Sequence, residues 1–250
     1  MSSGKLFSSD LSIYDRSLCY NLIMKKIKFS EKVKILPWIG ENYFNEKQKI
    51  LILGISTYYK DVPSKKDCLN DLVKSICNGD KRRGTVYWTK IENLLINKKE
   101  NPEKFWNRIS YYSYIQEIMD GPKQKTPDEY WEYAKEPFIE ILKKLMPDKV
   151  IVMGHEFFQN LPDNFEIQKS FEIEKSIKKK GKELKIAYYF LMKRKFQKNI
   201  VFLGFCHPSR IGFKNDEWRN LLNEYYKKEK RDWTGLVKIL EEAGQFVVDV

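Results

Sequence analysis

From residue 200 to residue 206 the chain reads Ile-Val-Phe-Leu-Gly-Phe-Cys, an apolar run that stops abruptly at His207-Pro208-Ser209-Arg210. A strand with one face in water alternates apolar and polar residues, so a short run without alternation reads as a strand buried on both faces, as in a parallel sheet between helices. Residues 49–55, ending in Gly54-Ile55, and residues 150–153, closed by Gly154, have the same character. The aromatic, β-prone stretch 105–116 supplies a further strand near 109–115. Apolar strands separated by helical segments predict an α/β protein, three-layered α/β/α, with a central, mostly parallel four-stranded sheet. Open sheets of this kind bind ligands beyond the carboxyl ends of their strands. His207, stiffened by the following proline, falls there, and the chain has only two histidines.

The rest of the chain fits around these strands. Leu18, Leu22, Ile23 and Ile27 recur near helical spacing and predict a helical N-terminal extension over 1–35. Pro37-Trp38-Ile39-Gly40 reads as an aromatic loop, 79–84 as an exposed basic loop, and 86–95 as a helix. Thr126-Pro127-Asp128-Glu129 is a helix start, and the helix should break or restart at Pro137 before ending near residue 145. Residues 171–177 and 184–191, joined through a lysine-rich tip, predict a β-hairpin within a basic insertion spanning 165–195. Helices are expected over 216–230 and 233–243. No repeat or composition break divides the chain, so 1–250 is expected to form a single domain.

The formal net charge is +12. Between Lys169 and Lys198 eleven Lys or Arg stand against three Glu, so this segment carries two thirds of the excess. Such a balance favours a polyanionic partner, nucleic acid above all. No stretch approaches the roughly 20 apolar residues of a membrane span, and no signal segment is read at the N-terminus, so a cytoplasmic protein with no membrane partner is expected. The four cysteines, Cys19, Cys68, Cys77 and Cys206, form no C-x-x-C pair and read as reduced structural thiols. Neither histidine has a partner at metal-ligand spacing, and no metal or cofactor is expected. His155, after Gly154, reads as structural or exposed. The phosphate-loop pattern is absent. Gly54-x-Ser56 begins a serine-hydrolase elbow, but Tyr58 stands where its second glycine should be.

Taken together, Gly54-Ile55-Ser56-Thr57-Tyr58 and His207-Pro208-Ser209 resemble the two active-site motifs of the uracil-DNA glycosylase superfamily, in order and separation. The first motif, the stretch from Phe105 to Tyr112, Thr126-Pro127 and the stretch from Pro147 to Gly154 look like an uncharacterised bacterial subgroup, whose first motif reads Gly-Glu-Ser-His-Tyr. The resemblance covers about residues 35–220. It implies a monofunctional DNA glycosylase, acting without a cofactor as a monomer on duplex DNA, that flips a nucleotide and hydrolyses its N-glycosidic bond. His207 would stabilise negative charge on the departing base. Ser56 stands where relatives carry a water-positioning Asp or Asn, with Asp61 a substitute activating carboxylate. Gly54, Tyr58, Ser113 and Tyr114 would line the base pocket, Ser113 replacing an Asn that reads the base edge. Ser209 and Arg210 would hold phosphates, Ile211 would wedge the gap left by the flipped base, and Arg82, Arg83, Lys178, Lys179 and Lys180 would add basic contacts. Loss of the Asp and Asn argues for a modified base rather than plain uracil, in base excision or in defence against phage with modified DNA. The tyrosine at the Tyr58 position excludes C5 substituents in ordinary uracil glycosylases, so its placement would have to differ. The alternative is a nucleic-acid-binding module on the same fold, with little or no catalysis.

Overall fold

The computed structural model describes residues 27–58, 65–79, 85–95, 101–121, 124–154, 157, 161, 167–171, 177–179, 182–184, 187–193, 199–205 and 207–208. In chain order the strands are β1 (Trp38–Ile39), β2 (Ile50–Gly54), β3 (Ser110–Ser113), β4 (Lys149–Met153), β5 (Ile167–Phe171), β6 (Ile177–Lys179), β7 (Lys182–Leu184), β8 (Ala187–Lys193) and β9 (Asn199–Phe205). The α-helices are α1 (Cys68–Cys77), α2 (Thr85–Leu95), α3 (Pro102–Trp106) and α4 (Asp128–Leu145).

The four expected strands form the middle of one sheet. Its order is β1-β3-β2-β4-β9-β8-β5, and the pairs β3–β2, β2–β4 and β4–β9 are parallel. The sheet is wider than the four strands expected, because it has seven. β1, β8 and β5 add antiparallel edges, and β8 matches β9 over seven residue pairs. An antiparallel neighbour needs only a short return of the chain, whereas each parallel neighbour needs a crossover. The lysine-rich segment is therefore two nested antiparallel pairs: β6–β7 makes a separate hairpin, with Lys178 opposite Glu183 and Lys179 opposite Lys182, while β5 and β8 extend the main sheet.

Both faces of the parallel strands are buried, which explains the missing alternation in their sequences. Ile52, Tyr111, Ile151, Met153 and Phe205 pack with Leu69 and Val73 of α1, Trp88 and Ile91 of α2, and Phe105 and Trp106 of α3. Leu51, Leu53, Tyr112, Val150, Val152 and Phe202 pack with Ala134, Phe138, Ile141, Leu142 and Leu145 of α4. Helices thus cover the sheet on two sides in a mixed α/β arrangement. Each fully buried side chain of Leu, Ile or Phe size contributes about 1.5–3 kcal/mol.

Local structure departs from expectation at four places. Trp38–Ile39, read as loop, is a short edge strand opposite Tyr111 and Ser110. Phe105 and Trp106, at the start of the stretch read as β-prone, close helix α3, because Asn101 caps its start by accepting a hydrogen bond from the Glu103 N–H at 3.0 Å and Pro102 occupies the first turn. α4 runs unbroken through Pro137. A mid-helix proline costs roughly 3 kcal/mol, but burial of Phe138, Ile141 and Leu142 on the same helix outweighs that. Residues 27–35, the described end of the N-terminal extension, contain no helix. Residues 1–26 and the two expected C-terminal helices lie outside the described residues. Among the described residues, no helix is long and apolar enough to cross a membrane.

Candidate active site at the carboxyl ends of the parallel strands

Parallel strands end at one edge of the sheet, so the exits of β2, β3, β4 and β9 are neighbours. Gly54 pairs with Ser113 at the ends of β2 and β3, and Met153 pairs with Phe205 at the ends of β4 and β9. Beyond the sheet the first two exits stay joined. The N–H groups of Tyr114, Ile115 and Met119 donate to the carbonyls of Gly54, Ile55 and Thr57 at 2.9, 2.8 and 2.8 Å. Gln116 braces the same exit, donating through Nε2 to the Ser113 carbonyl at 2.7 Å and accepting from the Ile35 N–H at 3.0 Å. Ser56 is half-buried on this anchored segment, and Tyr58 beyond it is exposed.

A run of hydroxyl groups crosses the site. The Thr57 and Ser113 hydroxyls are 2.8 Å apart and buried. On the same face of β3, Oη of Tyr111 lies 3.3 Å from Oη of Tyr87. The Tyr87 ring then stacks on the His207 imidazole, centroids 5.2 Å apart and planes inclined by 26°. Lys90, one turn along α2, donates from Nζ to the Pro208 carbonyl at 2.7 Å. Gly54 is required beneath this run. An added Cβ would overlap the Tyr111 hydroxyl, with Cζ of Tyr111 at 2.9 Å and Oη of Tyr87 at 3.3 Å. Burial pushes the Tyr87 and Tyr111 phenols well above their ordinary range, so both stay protonated at neutral pH.

The expected site residues divide accordingly. Gly54, Ser56, Ser113 and His207 all lie at the carboxyl edge, with Gly54 and His207 linked through Tyr111 and Tyr87. Ser113 is fully buried, and its hydroxyl locks Thr57 to the end of β3. Tyr114 does not join them. Successive strand residues point to opposite faces, and its ring is sealed on the α4 side, 5.8 Å from Trp131, 5.4 Å from Phe138 and 5.1 Å from Phe157. Asp61, Ser209, Arg210, Ile211, Arg82, Arg83 and Lys180 lie outside the described residues, as does His155. Lys178 and Lys179 fall on β6.

Tyr87, Lys90 and Tyr111 are site residues that the motifs did not single out. Tyr87 and Lys90 carry the three-residue spacing of one helix face, but nothing in that spacing names His207 as their target. Chemistry elsewhere is muted. Burial pushes the Cys68 and Cys77 thiols up to about 11, leaving them protonated at neutral pH. Among the described residues no three His, Cys, Asp or Glu come together as metal ligands. A groove of about 470 Å³ opens between the 32–34 segment and the start of α4, lined by Lys32, Lys34, Glu117, Glu132 and Glu136. Gln116 also lines it, but Gly54, Ser56, Ser113 and His207 do not. Its lysines and carboxylates neutralise one another, Glu117 accepting from both Lys34 and Lys65. No family model matches the chain, and no curated protein matches it either.

Proposed function

We propose that the protein is a monofunctional DNA glycosylase of the uracil-DNA glycosylase type, acting as a monomer in the cytoplasm on a modified base in duplex DNA. The observation that carries this reading is the shared edge: His207, two residues past β9, and the Gly54–Thr57 exit of β2 lie at the carboxyl ends of parallel strands, joined through Tyr87 and Tyr111. The net charge of +12 supports a polyanionic substrate.

In this reading a flipped nucleotide enters against the strand ends. His207 donates a hydrogen bond to the base as the glycosidic bond lengthens and negative charge grows on the leaving group. Ser56 orients the attacking water, with Asp61 the candidate for carboxylate assistance. The Ser113 hydroxyl is buried and already engaged by Thr57, which disfavours the edge reading that an Asn performs in relatives. This favours a base other than plain uracil. Ser209 and Arg210 hold flanking phosphates and Ile211 fills the vacated stack. Arg82, Arg83 and the hairpin lysines Lys178, Lys179 and Lys180 supply the remaining contacts.

The test is a panel of duplexes carrying uracil, and phage DNA bearing glucosylated or otherwise modified bases, assayed for alkali-labile abasic sites. His207→Ala should slow excision by roughly 100-fold or more, as expected for loss of a donor aimed at developing charge. Undiminished activity in that variant would remove the mechanism. DNA affinity should fall with salt at a log–log slope of about −0.9 per phosphate neutralised. A second reading, DNA binding without catalysis, is favoured by serine at position 56, which cannot act as a carboxylate base. It predicts the same salt slope with no abasic sites on any substrate.

A further inference from the structure

One face of α2 reaches across to the end of β9. Tyr87 and Lys90 share that face. They grip adjacent residues of one turn: the Tyr87 ring stacks on His207, and Lys90 holds the Pro208 carbonyl. Tyr87 also hydrogen-bonds to Tyr111 of β3, whose hydroxyl covers Gly54 at the end of β2. In the sheet β4 separates β2 from β9, so no ladder hydrogen bond joins the Gly54 exit to the His207 exit. Tyr87 touches both sides of that gap.

We infer that Tyr87 and Lys90 are positioning residues for His207, setting the plane of its imidazole and the path of the backbone that carries it. The inference rests on the glycosylase reading only for its effect on rate. A stacked phenol covers one face of an imidazole and leaves the ring edge, where both nitrogens lie, uncovered by Tyr87. The lysine tether acts on the next peptide unit and holds the mounting of the ring. A reacting group displaced by about 1 Å can lose on the order of 100-fold in rate, so the clamp on His207 is a direct lever on the chemistry.

The full-length chain carries only two histidines, which makes imidazole NMR a clean readout. In a His155→Gln background the single remaining signal belongs to His207. Stacking on Tyr87 should move its ring protons upfield. Tyr87→Phe should keep that shift, Tyr87→Leu should abolish it, and Lys90→Met should move the signal while Lys90→Arg restores it. His207 signals that are the same in Tyr87→Leu and its parent would overturn the stacking role. If Tyr87→Leu does not fold, the lysine pair decides: a signal indifferent to Lys90→Met refutes the clamp. On whichever substrate yields abasic sites, Tyr87→Leu should lower kcat by roughly 10-fold or more with KM little changed, and Tyr87→Phe should recover most of it. A wild-type protein that yields no abasic sites ends the glycosylase reading, while the imidazole signals still judge the clamp.

Discussion

On the α4 side of the sheet Tyr112 and Tyr114 are sealed among apolar rings, and among the described residues their hydroxyls have no hydrogen-bond partner. One residue away on the same chain, Tyr111 and Ser113 face the other layer and carry the hydroxyl run toward His207. Strand alternation separates these pairs. The α4 side is packed for stability, with two hydroxyls that have no partner among the described residues. The α2 side is equally apolar in its core, but at the strand ends it adds hydroxyls that engage one another. Two neighbouring aromatic residues of similar composition therefore have different jobs, and their position in the pleat assigns them.

The sharpest way to break this contrast is to empty the apolar side. Phe138 is fully buried, against Tyr114 and Phe202. Phe138→Ala should cost roughly 3–5 kcal/mol of stability in urea unfolding, while the His207 imidazole signals of the folded protein stay unchanged. If those signals moved, the two layers would be coupled through the sheet and the contrast would fail. A smaller effect compares the hydroxyls directly. Ser113→Ala leaves Thr57 without its partner and should cost about 1–3 kcal/mol, whereas Tyr114→Phe removes a hydroxyl that is already unsatisfied and should be neutral or mildly stabilising. Equal losses in the same unfolding assay would erase the distinction.

The smallest effect is electrostatic and differs in sign between Glu92 of α2 and two lysine-paired carboxylates, Glu117 and Glu140. Glu92 of α2 is held above the ordinary carboxylate range by burial, although it accepts a hydrogen bond from Trp106 Nε1 at 2.7 Å. Burial also acts against the charges of Glu117 and Glu140, but lysine partners hold both below that range: Lys34 and Lys65 for the first, Lys144 with Ser30 for the second. A raised carboxyl stabilises the fold as pH falls through its folded value, and a lowered one withdraws stability as pH falls through its own. Melting temperature should therefore rise slightly on mild acidification and then fall in stronger acid. Glu92→Gln should remove the rise, and Glu117→Gln should blunt the fall. A monotonic curve unaffected by Glu92→Gln would contradict this assignment.

Much of the frame was legible in the chain. Residues 49–55, 150–153 and 200–206 contain the three least interrupted β runs, and each lands on a central parallel strand, because burial on both faces erases the alternation that exposure imposes. The spacing of Leu69, Val73 and Ile76 carries the signature of α1, which is not among the expected helices. The β-prone look of the aromatic stretch does not extend to Phe105 and Trp106, where Asn101-Pro102 starts a helix. At the site, the strand-end positions of Gly54, Ser113 and His207 followed from the pattern of runs. That Tyr114 belongs to the core followed from alternation, once the register of β3 was known.

The sequence by itself determined an α/β sheet with chemistry-bearing residues at strand ends, because secondary-structure periodicity and burial are local properties written into consecutive residues. The tertiary structure alone decided the width of the sheet and the company His207 keeps. Lys90 meets Pro208 across 118 positions of the chain, and Tyr87 meets His207 from the same helix. Contacts of that range depend on how crossover helices pack against strands that are not sequence neighbours, and no local spacing encodes which side chain will lie opposite which.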